Sequence, residues 1–302
     1  MRLFLLALAF LLSACAAPLP DRSSDTARVA VISAFAPELE LLQSKVVDAR
    51  RQVINGVEFT TGTLQGKPVV MFLSGISMVN AAMNTQLAVD RFKVSHVVFS
   101  GIAGGVNPQL RIGDVVIAQR WAQYLEALFA REVSPGRFQP PPYIDDAKLP
   151  NFGMIHPRAV DVRSASRSGE EKKFWFDVDP QLMQVAQRAA LAVQLERCDA
   201  QKNCLAHQPQ VVLGGNGVSG QAFVDNAAFR EYTFRTFGAN VLDMETAATA
   251  HVAHANGVPL IAFRSLSDLA GGGEGENEMT TFFKLAADNS ARVLLAFFAA
   301  WR

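Results

Sequence analysis

The chain has 302 residues, half of them hydrophobic, and its 28 basic residues balance its 28 acidic ones. This length and hydrophobic content suit a large globular domain with a substantial core. The balanced charge gives no electrostatic reason to expect a nucleic acid or another polyanion as a partner.

The first residues predict an export signal that is separate from the domain. A positively charged start is followed by the apolar run Leu3–Leu12, which is too short to span a bilayer comfortably. The run ends in Leu-Ser-Ala-Cys, which resembles a bacterial lipobox with Cys15 as the lipidated residue. An ordinary signal peptide with an incidental cysteine is the alternative. We predict a signal peptide over 1–14, a tether over 15–27, and a lipid-anchored protein of the bacterial cell envelope, in the outer membrane facing the periplasm.

Apolar β-type runs alternate with helix-like runs along the rest of the chain, which predicts one α/β domain over 28–302. The predicted strands are 28–34, a short one around 53–54, 57–64, 69–73, 97–100, 115–118, 211–213 and 259–263. The predicted helices are one that begins near Pro37, then 78–92, 180–195, 226–237 and 280–301. The glycine-rich segment 101–105 is predicted to be a loop, and residues from about 121 to 176 are predicted to be an insertion that runs over the surface.

Two cysteines, Cys198 and Cys204, lie close together in a polar segment. In an oxidising compartment such a pair forms a disulfide. Two thiols alone are weak support for a metal site, and free thiols are the remaining alternative. We predict the disulfide and no metal.

Two carboxylates stand where apolar segments change character. Glu245 opens an alanine-rich helix, and Asp268 follows the predicted strand 259–263. Side chains at the carboxyl ends of strands converge on the crevice where α/β proteins bind ligands. Two acids in one such crevice are able to hold a polyol and to donate a proton.

Five motifs follow one another in chain order: Ile32–Glu38, Ser74–Ile76, Ser100–Gly105, Ser219–Phe223 and the acidic pair Asp243–Ala248 with Arg264–Asp268. Together they resemble the nucleoside phosphorylase and nucleosidase superfamily, and most of all its 5′-methylthioadenosine/S-adenosylhomocysteine nucleosidases. The resemblance implies a three-layer α/β/α fold with a central mixed sheet. It also implies a purine nucleoside as the small-molecule partner, a homodimer, and no cofactor.

The resemblance assigns catalytic roles to three residues. Glu38 would activate the attacking water, and Asp268, assisted by Ser267, would protonate N7 of the leaving base. The chemistry favours these roles because a departing purine anion is a poor leaving group, and a carboxyl group in a desolvated crevice keeps its proton near neutral pH. Each acid also has a structural alternative, as a residue of a helix start or a turn.

Five further residues are implied to bind the substrate. Glu245 would hold the ribose hydroxyls, with Met244 against the sugar face, and Phe223 would stack on the purine. Gly104 and Ile102 would approach the ribose and the nucleophile. Ile102 replaces the small hydroxylated residue that is usual there, which leaves the positioning of the nucleophile open.

Hydrolysis and phosphorolysis are the alternatives within this superfamily. Phosphorylases hold phosphate with cations, whereas the first loop, 33–38, has no arginine and ends in an acid. We therefore predict hydrolysis of the N-glycosidic bond of a purine nucleoside, which releases the free base and a ribose derivative. A phosphate-dependent phosphorylase and a non-catalytic nucleoside-binding, storage-like lipoprotein are the alternatives.

Overall fold

The computed structural model describes residues 26–144 and 148–302. The predicted signal peptide over 1–14, the lipidation site Cys15 and nearly all of the tether over 15–27 lie outside the described residues.

The strands and helices below are those of the described ranges. The strands are β1 (Arg28–Ser33), β2 (Val47–Ile54), β3 (Val57–Leu64), β4 (Lys67–Leu73), β5 (Val94–Gly105), β6 (Val115–Ile117), β7 (Arg120–Gln123), β8 (Ala127–Phe129), β9 (Arg131–Ser134), β10 (Arg137–Gln139), β11 (Ile155–Pro157), β12 (Val160–Ser164), β13 (Arg167–Lys173), β14 (Trp175–Asp177), β15 (Val211–Leu213), β16 (Asn216–Ser219), β17 (Ala239–Asp243) and β18 (Leu260–Asp268). The helices are α1 (Ala36–Gln43), α2 (Met78–Arg91), α3 (Pro180–Ala192), α4 (Ala227–Phe237), α5 (Thr246–Ala255) and α6 (Met279–Ala300).

A mixed sheet forms the central layer. Strand β1 lies between β4 and β5 with both pairs parallel, and β5 also pairs in parallel with β18. The antiparallel strands β3 and β2 continue one edge, while β17, antiparallel to β5, leads through β16 and β7 to β14. Helix α6 packs on α1, α3 and β18, and α2 packs on α5. The mixed sheet with flanking helices confirms the predicted fold class.

The central strands are apolar because both of their faces are covered. Every residue of β18 is buried, and in β1 only Arg28 is not. Parallel strands that are buried on both faces read as continuous apolar runs rather than as alternating ones. This is why the sequence predicts a strand over 28–34.

The glycine-rich segment 101–105, predicted to be a loop, is instead the second half of the long strand β5. A Cβ on Gly101 would lie 2.5 Å from Nη1 of Arg264 and 2.6 Å from Oε1 of Glu38. A Cβ on Gly104 would lie 3.2 Å from Oδ1 of Asp268. The glycines therefore let the strand pass close to three charged side chains, which is a recognised use of glycine inside a strand.

The predicted surface excursion at about 121–176 is wrong at both of its ends. Strands β7 and β14 pair with each other in the main sheet, and both Trp121 and Phe176 are buried. Between them lie the small two-stranded sheets β8–β11, β9–β10 and β12–β13. The two short buried strands could not be predicted from the sequence, because their neighbours in the chain are polar and rich in proline.

Candidate active site

The carboxyl ends of β1, β5, β16, β17 and β18 surround a cavity of about 390 Å³. Its volume is that of a small-molecule site. The lining residues are Ala34, Phe35, Glu38, Ile76, Ile102, Ala103, Gly104, Ala222, Phe223, Val224, Leu242, Asp243, Met244, Glu245, Ser267, Asp268, Met279, Thr280 and Phe283. All eight residues that the sequence predicts for catalysis and substrate binding are therefore brought together at one cavity.

Glu38 lies in the first turn of α1, directly after β1, and its carboxylate is held by backbone amides. Oε2 accepts hydrogen bonds from the amides of Ala34 at 2.7 Å and Phe35 at 3.4 Å, and Oε1 accepts one from the amide of Ile102 at 2.7 Å. Burial raises the pKa of Glu38 to about 7, although the nearby Arg264 guanidinium and the amide of Ile102 act in the opposite direction. Near neutral pH this carboxyl group is thus able both to accept and to release a proton.

Glu245 is the N-cap residue of α5, two residues after β17 ends, although its side chain makes no capping hydrogen bond. Its Oε1 accepts a hydrogen bond of 2.9 Å from the amide of Ser77, and its Oε2 accepts one of 3.3 Å from Nη2 of Arg264. Ser77 has a positive φ of 80°, which is uncommon for a residue other than glycine. Burial raises the pKa of Glu245, while Arg264 lowers it.

Asp268 is the last residue of β18 and is 3% exposed. Its Oδ1 accepts a hydrogen bond of 2.8 Å from the amide of Ala270, and its Oδ2 accepts one of 2.9 Å from the hydroxyl of Ser267. Burial raises the pKa of Asp268, and the two hydrogen bonds only partly oppose that effect. The environment favours a carboxyl group that retains its proton, as a general acid requires.

Arg264 connects three acids beneath the cavity. It is fully buried, with Nε 2.8 Å from Oδ2 of Asp243, Nη2 bonded to Glu245, and Nη1 4.0 Å from Oε1 of Glu38. Its guanidinium also lies over the ring of Phe99, 4.2 Å from the centroid. Buried charges of this kind persist only when they are paired.

Asp243 is a site residue to which sequence reasoning gave no role, although it opens the Asp-Met-Glu motif. Its Oδ1 accepts hydrogen bonds of 3.1 Å from the amides of Glu245 and Thr246, and the hydroxyls of Ser219 and Thr246 also donate to its carboxylate. Asp243 thus fixes the turn that delivers Glu245 to the cavity.

The remaining predicted substrate contacts differ in exposure. Gly104 is buried, and Ile102 and Met244 are partly buried, whereas Phe223 is 56% exposed. A ring at the cavity mouth with one free face is able to stack on a planar ligand. Sequence reasoning missed an apolar group made of Phe35, Ile76, Met279 and Phe283, which comes from elements far apart in the chain.

The pair Cys198–Cys204 is joined by a disulfide with an S–S distance of 2.01 Å. The bridge closes a short loop between α3 and β15. Leu205, next to it, packs with Ile112 and Leu285 in a small buried cluster. Neither cysteine lines the cavity.

Comparison with known proteins agrees with this geometry. The sequence profile of the phosphorylase superfamily matches residues 28–299. A 5′-methylthioadenosine/S-adenosylhomocysteine nucleosidase of Lysinibacillus sphaericus is 31% identical over 269 residues, which are 89% of this chain and 97% of the relative. One of Halalkalibacterium halodurans is 29% identical over 272 residues, 89% of this chain and 96% of the relative. The solved structure of the Neisseria meningitidis nucleosidase, in complex with methylthio-immucillin-A, is 26% identical with a TM-score of 0.66 and covers 91% of this chain and 99% of its own.

The chain belongs to the phosphorylase superfamily, the class that its mixed sheet and acidic cavity define. Within that class, its relatives are 5′-methylthioadenosine/S-adenosylhomocysteine nucleosidases. The predicted family and the predicted enzyme class, an N-ribosyl hydrolase, are thereby confirmed.

The predicted location, a lipid-anchored protein of the outer membrane, needs correction. The relatives are nucleosidases that align with 88–89% of the chain, and their names give no support to an envelope lipoprotein. Over 26–144 and 148–302, no helix is long and apolar enough to cross a membrane. The relatives, and not this finding on the helices, are the reason why the predicted envelope location is corrected.

Proposed function

We propose that this protein hydrolyses the N-glycosidic bond of a purine nucleoside of the 5′-methylthioadenosine or S-adenosylhomocysteine type and releases the free base and a ribose derivative. The observation that carries the proposal is the convergence of Glu38, Glu245 and Asp268 on one cavity. Relatives named for this activity support the choice of substrate class.

Asp268 acts as the general acid. Burial raises the pKa of Asp268 and so favours its protonated form, and Ser267 and the amide of Ala270 fix the carboxyl group. Proton transfer to N7 of the purine converts a poor leaving group into a neutral base. The exposed ring of Phe223 stacks on that base at the cavity mouth.

Glu245 and Met244 hold the sugar. As the bond to the base breaks, the ribosyl centre becomes positively charged, and a fixed carboxylate nearby stabilises that charge more than it stabilises the neutral substrate. Glu245 is fixed in this way by Ser77 and Arg264.

Glu38 removes a proton from the attacking water. Its pKa of about 7 leaves much of it ionised at neutral pH while it remains a strong enough base. Ile102 provides no hydroxyl at this point, but its amide orients Glu38 and its carbonyl accepts a 3.0 Å hydrogen bond from Arg264. Gly104 lets the strand pass close to the carboxyl group of Asp268.

The charge of the cavity supports water rather than phosphate as the nucleophile. Its lining, among the described residues, contains Glu38, Asp243, Glu245 and Asp268 but neither lysine nor arginine. The guanidinium of Arg264 lies beneath the cavity and is already shared among three acids. Carboxylates repel phosphate, whereas a water molecule needs a base.

The test is the release of base from 5′-methylthioadenosine, S-adenosylhomocysteine, adenosine and inosine, with and without phosphate. We expect release without phosphate and the greatest kcat/KM for the 5′-thio substrates. Strict dependence on phosphate would replace the hydrolase with a phosphorylase. Tight binding of the nucleosides without any release would point to the binding-protein alternative.

We further propose a homodimer whose interface includes the start of α2. Ile76, Val79 and Met83 are 52%, 57% and 61% exposed, and Ile76 also lines the cavity. Val79 and Met83 are four positions apart and share one face of α2, and with Ile76, which lies just before the helix, they form an apolar stripe. A second copy packed on this stripe would remove it from water and narrow the cavity mouth.

The domain organisation is proposed as one domain over 28–302 with an insertion at about 121–176. The profile match over 28–299 supports the domain. Within the segment, strands β7 and β14 belong to the main sheet, so the inserted part lies between them.

A further inference from the structure

The cavity wall beside the base is built from two segments that are far apart in sequence. One is the loop after β16, which contributes Ala222, Phe223 and Val224, and the other is the start of α6, which contributes Met279, Thr280 and Phe283. The start of α6 is connected to Asp268 by residues 269–278, which include the glycine-rich stretch 271–278.

The two segments are tied at their bases by the backbone. The amide of Asn226 donates a hydrogen bond of 3.1 Å to the carbonyl of Ala270. Gly271, with a φ of 84°, passes so near that a Cβ on it would lie 2.3 Å from the amide nitrogen of Asn226. This contact holds the two segments together near residues 226 and 271. Between that point and α6, side chains connect them.

Asn277 closes that span with both ends of its amide. Its Nδ2 donates a hydrogen bond of 3.0 Å to Oδ1 of Asp225, two residues after Phe223. Its Oδ1 accepts a hydrogen bond of 3.0 Å from the amide of Met279 at the start of α6. The side chain thus connects the loop of Phe223 to the first turn of the helix that lines the cavity.

Asn277 also acts on the carboxyl group of Asp268. Its amide donates toward that carboxyl group and lowers the pKa of Asp268, whereas the nearby negative charge of Glu278 raises it. The other groups that face Asp268 are the hydroxyl of Ser267 and the amide of Ala270.

We infer that Asn277 is a positioning residue, which latches the loop of Phe223 to the start of α6 through Asp225 and thereby sets the width of the base pocket next to Asp268. This inference rests on the proposed function, because it takes Asp268 as the general acid and Phe223 as the residue that stacks on the base. The latch acts on binding of the base, and it reaches the chemical step only through Asp268.

The latch is tested by exchanging the hydrogen-bond donor at position 277 with the acceptor at position 225. In Asn277→Asp the new carboxylate still accepts from Met279 and caps α6 well, but it faces Asp225 without a donor. We expect KM to rise roughly fivefold to tenfold, the size of one lost hydrogen bond. In the double variant Asn277→Asp/Asp225→Asn the amide at 225 donates to the carboxylate at 277, so KM returns to near the wild-type value.

The pH profile gives a second readout that a merely structural role would not move. Asn277→Ala removes the donor to Asp268, so the pKa of Asp268 rises and the alkaline limb of kcat/KM moves to higher pH. Asp225→Ala opens the latch but retains Asn277, so KM rises while the alkaline limb stays in place.

The matched control is the exposed pair in the disulfide loop, where Nδ2 of Asn203 donates to Oδ2 of Asp199 at 2.8 Å. Asn203→Asp should change neither KM nor the pH profile. An unchanged KM in Asn277→Asp, or a double variant as weak as the single one, overturns the latch. If the wild type releases no base, the proposed function fails, and the dissociation constant for adenine in the same variants then decides the latch by the same pattern.

Discussion

Two carboxyl groups of this site have different surroundings, which suit the opposite tasks that we propose for them. Burial raises the pKa of both Glu38 and Asp268. Neutral donors surround Asp268, whereas Glu38 also feels the positive charge of Arg264 and three backbone amides. Pairs of acids whose environments differ in this way are typical of general acid and general base.

Asp268→Asn should lower kcat by at least about a hundredfold, because the amide has no proton to give to the departing base. Binding of adenine should change much less, since the amide retains the size of the carboxyl group. Stopped assays of base release together with calorimetric titration of adenine measure both quantities. A variant with near wild-type kcat would remove Asp268 from the reaction.

The raised pKa of Glu38 predicts how kcat/KM changes on the acidic side of the pH profile. Its pKa is raised to about 7, and the ionised form is the one that takes the proton from water, so kcat/KM should rise as pH increases toward that value. The rate should fall as pH increases through the raised pKa of Asp268, because the general acid must carry its proton. Glu38→Gln should lower the rate and abolish the acidic limb; persistence of that limb in the variant would assign it to another group.

Strands could be predicted from the sequence where their residues are uniformly apolar, and they could not where polar residues of the site interrupt the apolar run. Strand β18 was recognised only over 259–263, although it continues through Arg264 to Asp268. Its polar residues are buried because each finds a partner inside, such as Arg264 with Asp243 and Ser267 with Asp268. Such long-range partners are invisible in a single sequence.

The disulfide loop gives a prediction for stability alone. Replacing Cys198 and Cys204 by serine should lower the free energy of unfolding by about 2 kcal/mol, because the reduced chain gains the entropy of a short open loop. Both residues lie outside the cavity lining, so KM and kcat should be unchanged. Denaturant unfolding and steady-state kinetics on the double variant test this; a large loss of kcat would show that the loop supports the site.

At the scale of the whole molecule, the mixed sheet is what assembles the site. Strand β5 is hydrogen-bonded to β1, β17 and β18, so Glu38, Glu245 and Asp268 meet although they are far apart in sequence. The acids that line the cavity could be found in the sequence because motifs mark them. The apolar wall of Phe35, Ile76, Met279 and Phe283 could not, because each residue alone looks like ordinary core.

The proposed dimer is tested by a substitution on the exposed face of α2. Met83→Glu places a charge in the apolar stripe of α2 and should convert the dimer into a monomer, because burying an unpaired charge is costly. KM should also rise, since Ile76 belongs to both the stripe and the cavity. Light scattering with chromatography gives the mass. The control is a substitution of Val53, which lies on the edge strand β2 and is 67% exposed.

The single guanidinium of Arg264 faces three carboxyl groups. When these carboxyl groups are ionised, they carry more negative charge than the one guanidinium neutralises, and a neutral nucleoside leaves that excess uncompensated. The positive charge that develops on the ribosyl centre supplies the missing counter-charge at the moment the bond breaks. A shortage of cations, which would weaken a phosphate site, here makes the enzyme select the transition state over its substrate.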